Sequence, residues 1–128
     1  MVVDTDILID HFHGHRSATE FVLDALLQGH TLYISVATVA EIMAGMRSGE
    51  EDATEALFSL FTIYGADEPL ARVAGDYLRQ YTREHRLDLG DALIAATANL
   101  TASTLYTRNI RHYPMNDIQV VVPYQRGR

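Results

Sequence analysis

Side chains that carry oxygen atoms follow the predicted strands of this 128-residue chain at three places. Asp4 and Asp6 come directly after a short apolar run. Glu41 follows a second predicted strand, Asn109 follows a later one, and Asp91 opens an alanine-rich helix. In parallel sheets, ligands bind beyond the carboxyl ends of the strands, so we expect these side chains to converge. Carboxylate and amide oxygens are the ligands that Mg²⁺ and Mn²⁺ prefer, and such ions keep several waters and bridge to phosphates.

Each of these residues also has a purely structural explanation. Three are acids at predicted helix starts, where they cap free N–H groups and suit the helix dipole: Asp4, Asp6 and Asp91. Glu41 stands three residues after Thr38, which is the spacing of a capping box. Asn109 is of a type common in turns. The combination of oxygens at several strand ends is therefore more informative than any one of them.

Three residues beside Asn109 are candidates for contact with a phosphate-containing substrate: Thr107, Arg108 and Arg111. All ten basic residues are arginine, whose planar guanidinium binds phosphate through two hydrogen bonds. The net charge of −7 argues against broad electrostatic attraction to nucleic acid. It does not argue against cleavage of nucleic acid, because cations held in an acidic pocket attract the phosphate.

The composition restricts the class of protein. The absence of cysteine excludes disulfides and thiolate metal sites, and the six histidines show no zinc-ligand spacing. No apolar run reaches the roughly 18 residues needed to cross a membrane, and carboxylates interrupt the N-terminal segment where a signal peptide requires apolar residues. We expect a cytoplasmic protein without a membrane partner. The length and the 48% hydrophobic content fit a single domain over residues 1–128.

Strands and helices alternate along the predicted chain. Five strands are predicted over residues 1–4, 31–35, 61–64, 104–106 and 120–122, and six helices over residues 7–12, 18–28, 39–46, 51–61, 69–85 and 90–100. This alternation predicts an α/β fold with three α/β/α layers, in which a parallel sheet of about five strands is covered on both faces. The small alanines after Asp91 should let the last helix lie close to the sheet and carry Asp91 toward the strand ends.

Four segments resemble the motifs of the PIN-domain nucleases, and in particular the VapC toxins of bacterial toxin–antitoxin pairs. They occur in the family's order and at family-like spacing: VVDTDILID, SVATVAEIMAG, LGDALIAATA and LYTRNIRHYP. The resemblance runs from Met1 to about Pro123, and the combination of DALIAATA with TRN is its most specific part. It implies a Mg²⁺- or Mn²⁺-dependent endoribonuclease, a homodimer, an RNA substrate such as tRNA or rRNA, and a cognate antitoxin that blocks the site.

The resemblance also assigns roles by position. Asp4, Glu41 and Asp91 correspond to the acidic core, with Asn109 as the fourth polar member and Asp6 as a further candidate metal ligand. We expect the three core carboxylates to lie within a few ångströms of one another and to form one cation cage.

Two residues depart from the family pattern. Asp6 stands where Asn, Ser or Thr is frequent, and His112 stands where Asp is frequent. We hypothesise that Asp6 partly replaces the negative charge that is missing at Asn109 and His112.

Two other interpretations of the opening segment stay open. A phosphatase of the haloacid dehalogenase type also begins with an apolar strand and D-x-D, with Asp4 as nucleophile and Asp6 as general acid. That family needs a later paired acidic motif, but Asp91 is followed by ALIA. A non-catalytic, acidic Mg²⁺-binding interaction domain, such as a phospho-receiver, is the second alternative. Receivers normally use a lysine, and this chain has none.

Overall fold

The computed structural model describes residues 1–125, in which strands and helices alternate as the sequence predicts. The strands are β1 (Val2–Val3), β2 (Tyr33–Ser35), β3 (Thr62–Tyr64), β4 (Leu105–Tyr106) and β5 (Val120–Val121). The helices are α1 (Thr5–Phe12), α2 (Arg16–Leu27), α3 (Val36–Gly45), α4 (Glu51–Phe58), α5 (Glu68–His85) and α6 (Leu89–Leu100). A single turn of 3₁₀ helix, Ile110–His112, lies between β4 and β5. Within residues 1–125, every helix is too short or too polar to span a lipid bilayer.

The five strands form one parallel sheet in the order β3-β2-β1-β4-β5. Val2 pairs with Tyr33 on one side and with Leu105 on the other. From β1 the chain extends the sheet in one direction through β2 and β3, and then crosses to the other side of β1 to form β4 and β5. The topological switch point therefore lies between β1 and β4, and this is where open α/β sheets bind ligands.

Helices cover both faces of the sheet, which confirms the predicted α/β/α layers. The neighbouring residues Val2 and Val3 are both fully buried and point to opposite faces. Val2 belongs to the core beneath α5 and α6, whereas Val3 belongs to the core with residues of α1, α2 and α4. A strand buried on both faces must be apolar throughout. This is why a carboxylate such as Asp4 follows β1 and does not occur within it.

Helix α6 packs on the sheet through small side chains. Its fully buried residues include four alanines: Ala92, Ala95, Ala96 and Ala98. The helix contacts both β1 and β2, as expected for a helix whose packed face has little side-chain bulk. This packing brings the N-terminal turn of α6, which contains Asp91, to the same edge of the sheet as Asp4.

Helix α3 begins earlier than the sequence predicts. It starts at Val36, directly after β2, and Ser35 is its N-cap, with Oγ accepting a hydrogen bond from the backbone N–H of Ala37 at 3.0 Å. The predicted capping box of Thr38 and Glu41 is therefore wrong. The physical reason is that β2 ends in a serine, a favoured N-cap residue, so Thr38 and Glu41 lie inside the helix. The carboxylate of Glu41 is not used for capping.

Candidate active site

Asp4 is held by hydrogen bonds to both of its carboxylate oxygens. It is the N-cap of α1, and its Oδ1 accepts a hydrogen bond from the backbone N–H of Thr5 at 2.7 Å. Its Oδ2 accepts hydrogen bonds from the hydroxyls of Thr107 at 2.7 Å and Tyr113 at 2.8 Å. The backbone N–H of Asp4 also donates to the carbonyl of Tyr106 at 3.0 Å, across the switch point. The side chain is thus fixed between β1 and β4, with only 6% of the residue exposed.

Asp6 faces the loop that follows β4. Its Oδ2 accepts hydrogen bonds from the backbone N–H of Arg108 at 3.0 Å and from the side-chain amide of Asn109 at 3.1 Å. Its Oδ1 is buried and accepts no hydrogen bond within the described residues. Burial, and after it the negative charge of Asp4, raises the pKa of Asp6 to about 6. The charge of Arg108 and nearby backbone N–H groups lower the pKa, but burial and Asp4 outweigh them.

Glu41 approaches Asp4 from α3 through a short chain of hydroxyls. The hydroxyl of Thr5 donates to Oε1 of Glu41 at 2.7 Å, and it also lies 2.9 Å from the hydroxyl of the fully buried Thr38. Because a hydroxyl has one hydrogen, Thr38 donates to Thr5 while Thr5 donates to Glu41. The other oxygen, Oε2, points toward the start of α6, where a Cβ at Gly90 would lie 3.5 Å from it.

Asp91 lies in the first turn of α6, whose N-cap is Asp88. Oδ1 of Asp88 accepts a hydrogen bond from the backbone N–H of Asp91 at 2.8 Å. Burial, and after it the charge of Asp88, raises the pKa of Asp91 to about 6. Asp4 acts on Asp91 in the same direction, and the nearby His112 lowers the pKa, with its Nδ1 3.9 Å from Oδ2 of Asp91. Asp88 thus serves as the cap of α6.

The carboxylates meet at one edge of the sheet without forming a closed cage. Among residues 1–125, no group of three or more histidine, aspartate or glutamate side chains is close enough to hold one ion. The expected three-carboxylate cage of Asp4, Glu41 and Asp91 is therefore not preformed. The reason is visible in the contacts, since Asp4 is turned toward Thr107 and Tyr113 and Oε1 of Glu41 is turned toward Thr5.

This arrangement can be compared with that of known proteins. The family model of the PIN domain matches residues 1–117. The chain belongs to the PIN-domain family. Over 116 residues it is 42% identical to Ribonuclease VapC10 of Mycobacterium tuberculosis, covering 90% of this chain and 86% of that protein. It is 36% identical over 115 residues to Ribonuclease VapC19 of the same organism, covering 89% and 92%. A solved toxin–antitoxin complex from Klebsiella pneumoniae contains a chain that is 31% identical, with a TM-score of 0.75 and coverage of 97% and 98%.

The donor atoms of this PIN domain fit a hard divalent cation. VapC ribonucleases with a PIN domain generally depend on divalent metal ions. The carboxylates at this edge of the sheet supply oxygen atoms, and Oδ1 of Asp6 is buried and accepts no hydrogen bond within the described residues. The open geometry is compatible with Mg²⁺, which is usually bound by only one or two carboxylates and otherwise by waters and substrate phosphates.

Two of the three predicted substrate contacts serve the PIN domain's own structure. Thr107 is fully buried, and its hydroxyl donates to Asp4; its contact with a substrate stays a prediction. The guanidinium of Arg108 is paired with the buried Asp10, at 2.7 Å from Nε to Oδ2. The side chain is 24% accessible, and its contact with a phosphate also stays a prediction. Arg111 is exposed in the 3₁₀ turn beside the site and stays a prediction.

Three residues that contact the site were missed by sequence reasoning: Thr5, Asp10 and Tyr113. Each looks ordinary in sequence, because a hydroxyl after a helix cap and an aspartate within a helix are common features. One signal was available for Asp10, which follows Asp6 by four residues and so lies on the same face of α1. For Tyr113, the signal was a hydroxyl at the position where the motif that LYTRNIRHYP resembles has Phe.

Proposed function

We propose that this PIN domain is a metal-dependent endoribonuclease that acts as the toxin of a type II toxin–antitoxin pair. The observation that carries the proposal is the convergence of Asp4, Asp6, Glu41 and Asp91 at the switch point of the sheet. The relatives named as VapC ribonucleases support the activity, because their likeness covers nearly the whole chain. The likeness to a chain of a toxin–antitoxin complex supports the biological role.

We assign the metal-binding role to Asp4, Asp6, Glu41 and Asp91, and a supporting catalytic role to Asn109. The metal is Mg²⁺ or Mn²⁺, because the four proposed ligands are all carboxylates. When bound, it lowers the pKa of a water and neutralises charge on the phosphate.

The buried hydroxyls of Thr107 and Tyr113 hold Asp4 in one orientation. The exposed carboxylate of Glu41 and the amide of Asn109 face solvent, where they orient water and the scissile phosphate.

The products follow from the nucleophile. A water molecule, and not the ribose 2′-hydroxyl, attacks the phosphorus in line while the bond from phosphorus to the 3′-oxygen breaks. The departing 3′-oxygen takes up a proton, so the fragments carry a 5′-phosphate and a 3′-hydroxyl. Arg111 is exposed, and we assign it the role of offsetting negative charge that grows on the phosphate oxygens. Single-stranded segments of tRNA or rRNA are the substrates that this open site favours, because their phosphates are accessible.

The partners of the proposal are an antitoxin protein and a second copy of the chain. A groove of about 400 Å³ runs from Glu41 between α1, α3 and α4, and its lining includes Ile9, Phe12, Ile42 and Met46. The same groove is lined by two carboxylates, Glu41 and Glu50, so it suits a protein segment that combines an apolar face with a basic residue. Such a segment would cover the site. The proposal places the protein in the cytoplasm, where its RNA substrates are synthesised.

The phosphatase alternative is not favoured. The relatives that match nearly the whole chain are named as ribonucleases. A phosphatase of this type also needs a later paired acidic motif, but Asp91 is followed by ALIA. The alternative of a non-catalytic Mg²⁺-binding domain is tested together with the nuclease.

The deciding experiment is cleavage of purified tRNA and rRNA by the intact protein, with the fragment ends mapped. We expect cleavage with Mg²⁺ or Mn²⁺, none with EDTA, and fragments that carry 5′-phosphates. An Asp91→Asn variant prepared in parallel controls for contaminating nucleases. Equal cleavage by the variant, or cleavage that persists in EDTA, would contradict the proposal. Absence of cleavage with retained Mg²⁺ binding would favour the interaction domain.

A further inference from the structure

Asp10 is a buried carboxylate outside the set of proposed metal ligands. It lies in the second turn of α1, and only 1% of it is exposed. Its Oδ2 is 2.7 Å from Nε of Arg108 and accepts a hydrogen bond from the hydroxyl of Tyr124 at 2.8 Å. Removing a carboxylate from water is costly unless a cation and hydrogen bonds offset the loss. Arg108 is that cation, and it comes from the loop that carries Asn109.

Asp10 and Asp6 hold the same loop from one face of α1. They are four residues apart, so their side chains project from neighbouring turns, separated by about 6 Å along the axis. Asp6 accepts hydrogen bonds from the backbone N–H of Arg108 and from the amide of Asn109. Asp10 binds the guanidinium of the same Arg108. The loop is therefore attached to α1 through both its backbone and a side chain.

The attachment affects the geometry of the site because α1 and this loop carry different parts of it. Asp4 caps α1, and Asp6 lies in its first turn. Thr107, which holds Oδ2 of Asp4, and Asn109, which contacts Asp6, lie on either side of Arg108. A shift of the Arg108 backbone relative to α1 must therefore displace donors to both carboxylates. At the second turn of α1, the ion pair of Asp10 with Arg108 joins the helix to the loop.

We propose that Asp10 is a positioning residue, which acts through Arg108 to hold the Thr107–Asn109 loop in register with Asp4 and Asp6. The inference rests on the proposed function, because the consequence of positioning is read in metal binding and RNA cleavage. Under this proposal the guanidinium of Arg108 binds Asp10 within the protein and does not bind the substrate. The sequence by itself suggests a contact with the substrate.

The test is a double-mutant cycle with Asp10→Asn, Arg108→Gln and the double variant, all measured on the full chain. Positioning predicts that each single variant lowers kcat tenfold or more and changes KM for RNA by less than threefold. It also predicts that a higher Mn²⁺ concentration is needed to half-saturate Mn²⁺ binding by each variant. It also predicts that the double variant is no worse than the poorer single variant, because both changes remove one connection. A substrate contact of Arg108 predicts the opposite for Arg108→Gln, namely a raised KM with kcat unchanged, and this result would overturn the inference.

Tyr124→Phe is the matched control. It removes a hydrogen bond to the same carboxylate but leaves the ion pair with the loop. We expect a lower unfolding midpoint with kcat and the Mn²⁺ midpoint within twofold of the unchanged protein. If Asp10→Asn fails to fold, Arg108→Gln addresses the same connection from a partly exposed side chain, 24% accessible.

The failure of this inference is distinguishable from the failure of the proposed function. If the unchanged protein cleaves no RNA, the proposed function fails, and the Mn²⁺ titration alone then judges positioning. If the unchanged protein cleaves RNA but both folded single variants keep kcat and the Mn²⁺ midpoint within twofold, Asp10 is not a positioning residue.

Discussion

The hydroxyl of Tyr113 donates a hydrogen bond to Oδ2 of Asp4 at 2.8 Å, although 109 residues separate them in sequence. Both residues are buried. Burial, and after it the negative charge of Asp4, raises the pKa of Tyr113 well above its usual value, so the hydroxyl stays protonated and remains a donor. Together with Thr107, this contact fixes the orientation of the carboxylate that joins β1 to β4.

Tyr113→Phe tests whether that orientation matters. The substitution removes one donor to a buried carboxylate and keeps the ring, so it should destabilise the metal-free protein by about 1–3 kcal/mol. We expect cleavage to fall about tenfold, because Asp4 keeps two of its three donors and loses part of its alignment. Chemical denaturation and initial cleavage rates are the measurements.

Tyr64→Phe is the control for Tyr113→Phe. The hydroxyl of Tyr64 forms no hydrogen bond with the residues that the structure describes, and its ring packs on Tyr33. We expect stability and cleavage close to those of the unchanged protein. Equal losses in the two variants would show that the contact with Asp4 has no special role.

Asp91→Asn should separate stability from activity. Because burial and Asp88 raise the pKa of Asp91 to about 6, its ionised form destabilises the metal-free fold at neutral pH. The neutral amide should therefore raise the unfolding temperature at pH 7.5 while cleavage falls below detection.

Asp4→Asn should also abolish cleavage, but it should lower stability, since an amide nitrogen cannot accept the hydrogen bonds that Asp4 receives. Thermal unfolding in EDTA measures both changes, which should be a higher unfolding temperature for Asp91→Asn and a lower one for Asp4→Asn.

The metal-free protein should lose stability as the pH rises from 5 to 7.5. Asp6 and Asp91 have folded-state pKa values of about 6 against an ordinary 3.8. A raised carboxylate pKa contributes stability that is complete below the ordinary value and is lost as the pH rises through 6. In EDTA we expect the unfolding temperature to drop by on the order of 5 °C.

The same unfolding temperatures are then measured with Mg²⁺ added. Mg²⁺ binds ionised carboxylates, so its stabilising effect should be larger at pH 7.5 than at pH 5. The double variant Asp6→Asn and Asp91→Asn should show a flatter pH profile and little response to Mg²⁺. Because burial lowers the pKa of His11, which favours stability at higher pH, the comparison with the double variant is decisive. A profile for the unchanged protein in EDTA that falls no more steeply than that of the double variant would contradict the assignment of these two groups.

Thr5→Val should detach Glu41 from its donor. Valine has nearly the same shape but no hydroxyl, so Oε1 of Glu41 and the buried hydroxyl of Thr38 both lose their partner. We expect cleavage to fall several-fold and stability to fall by about 1 kcal/mol. Thr62→Val, on the exposed surface of β3, is the matched control and should change neither quantity. Rates and unfolding midpoints of the two variants are compared side by side.

Asp6→Asn tests the hypothesis that Asp6 compensates for the missing acids at Asn109 and His112. The amide keeps an oxygen for the backbone N–H of Arg108, but it removes the charge of the buried Oδ1. We expect weaker Mn²⁺ binding and slower cleavage, with saturating Mn²⁺ restoring part of the rate. Unchanged affinity and unchanged cleavage would end the hypothesis.

The sequence predicted most of the fold because the spacing of apolar residues indicates strands and helices, and local residue types indicate where these elements begin and end. The apolar β1 followed by Asp4, the alternation of strands with helices, and the alanines behind Asp91 each predicted what the structure contains. Boundaries were less accurate where two good caps compete, as at Ser35 and Thr38. Local preference allows either start, and the end of β2 decides between them.

Residue types and order by themselves determined the acidic set, the oxygen-only chemistry and the parallel sheet that gathers it, because these depend on local patterns along the chain. The tertiary structure alone decided how each side chain is used. The orientation of Asp4 by Tyr113, the contact of Thr5 with Glu41 and the pairing of Asp10 with Arg108 all join residues that are distant in sequence. Such contacts arise when buried polar groups must find partners, and the partner available depends on which segments the fold brings together.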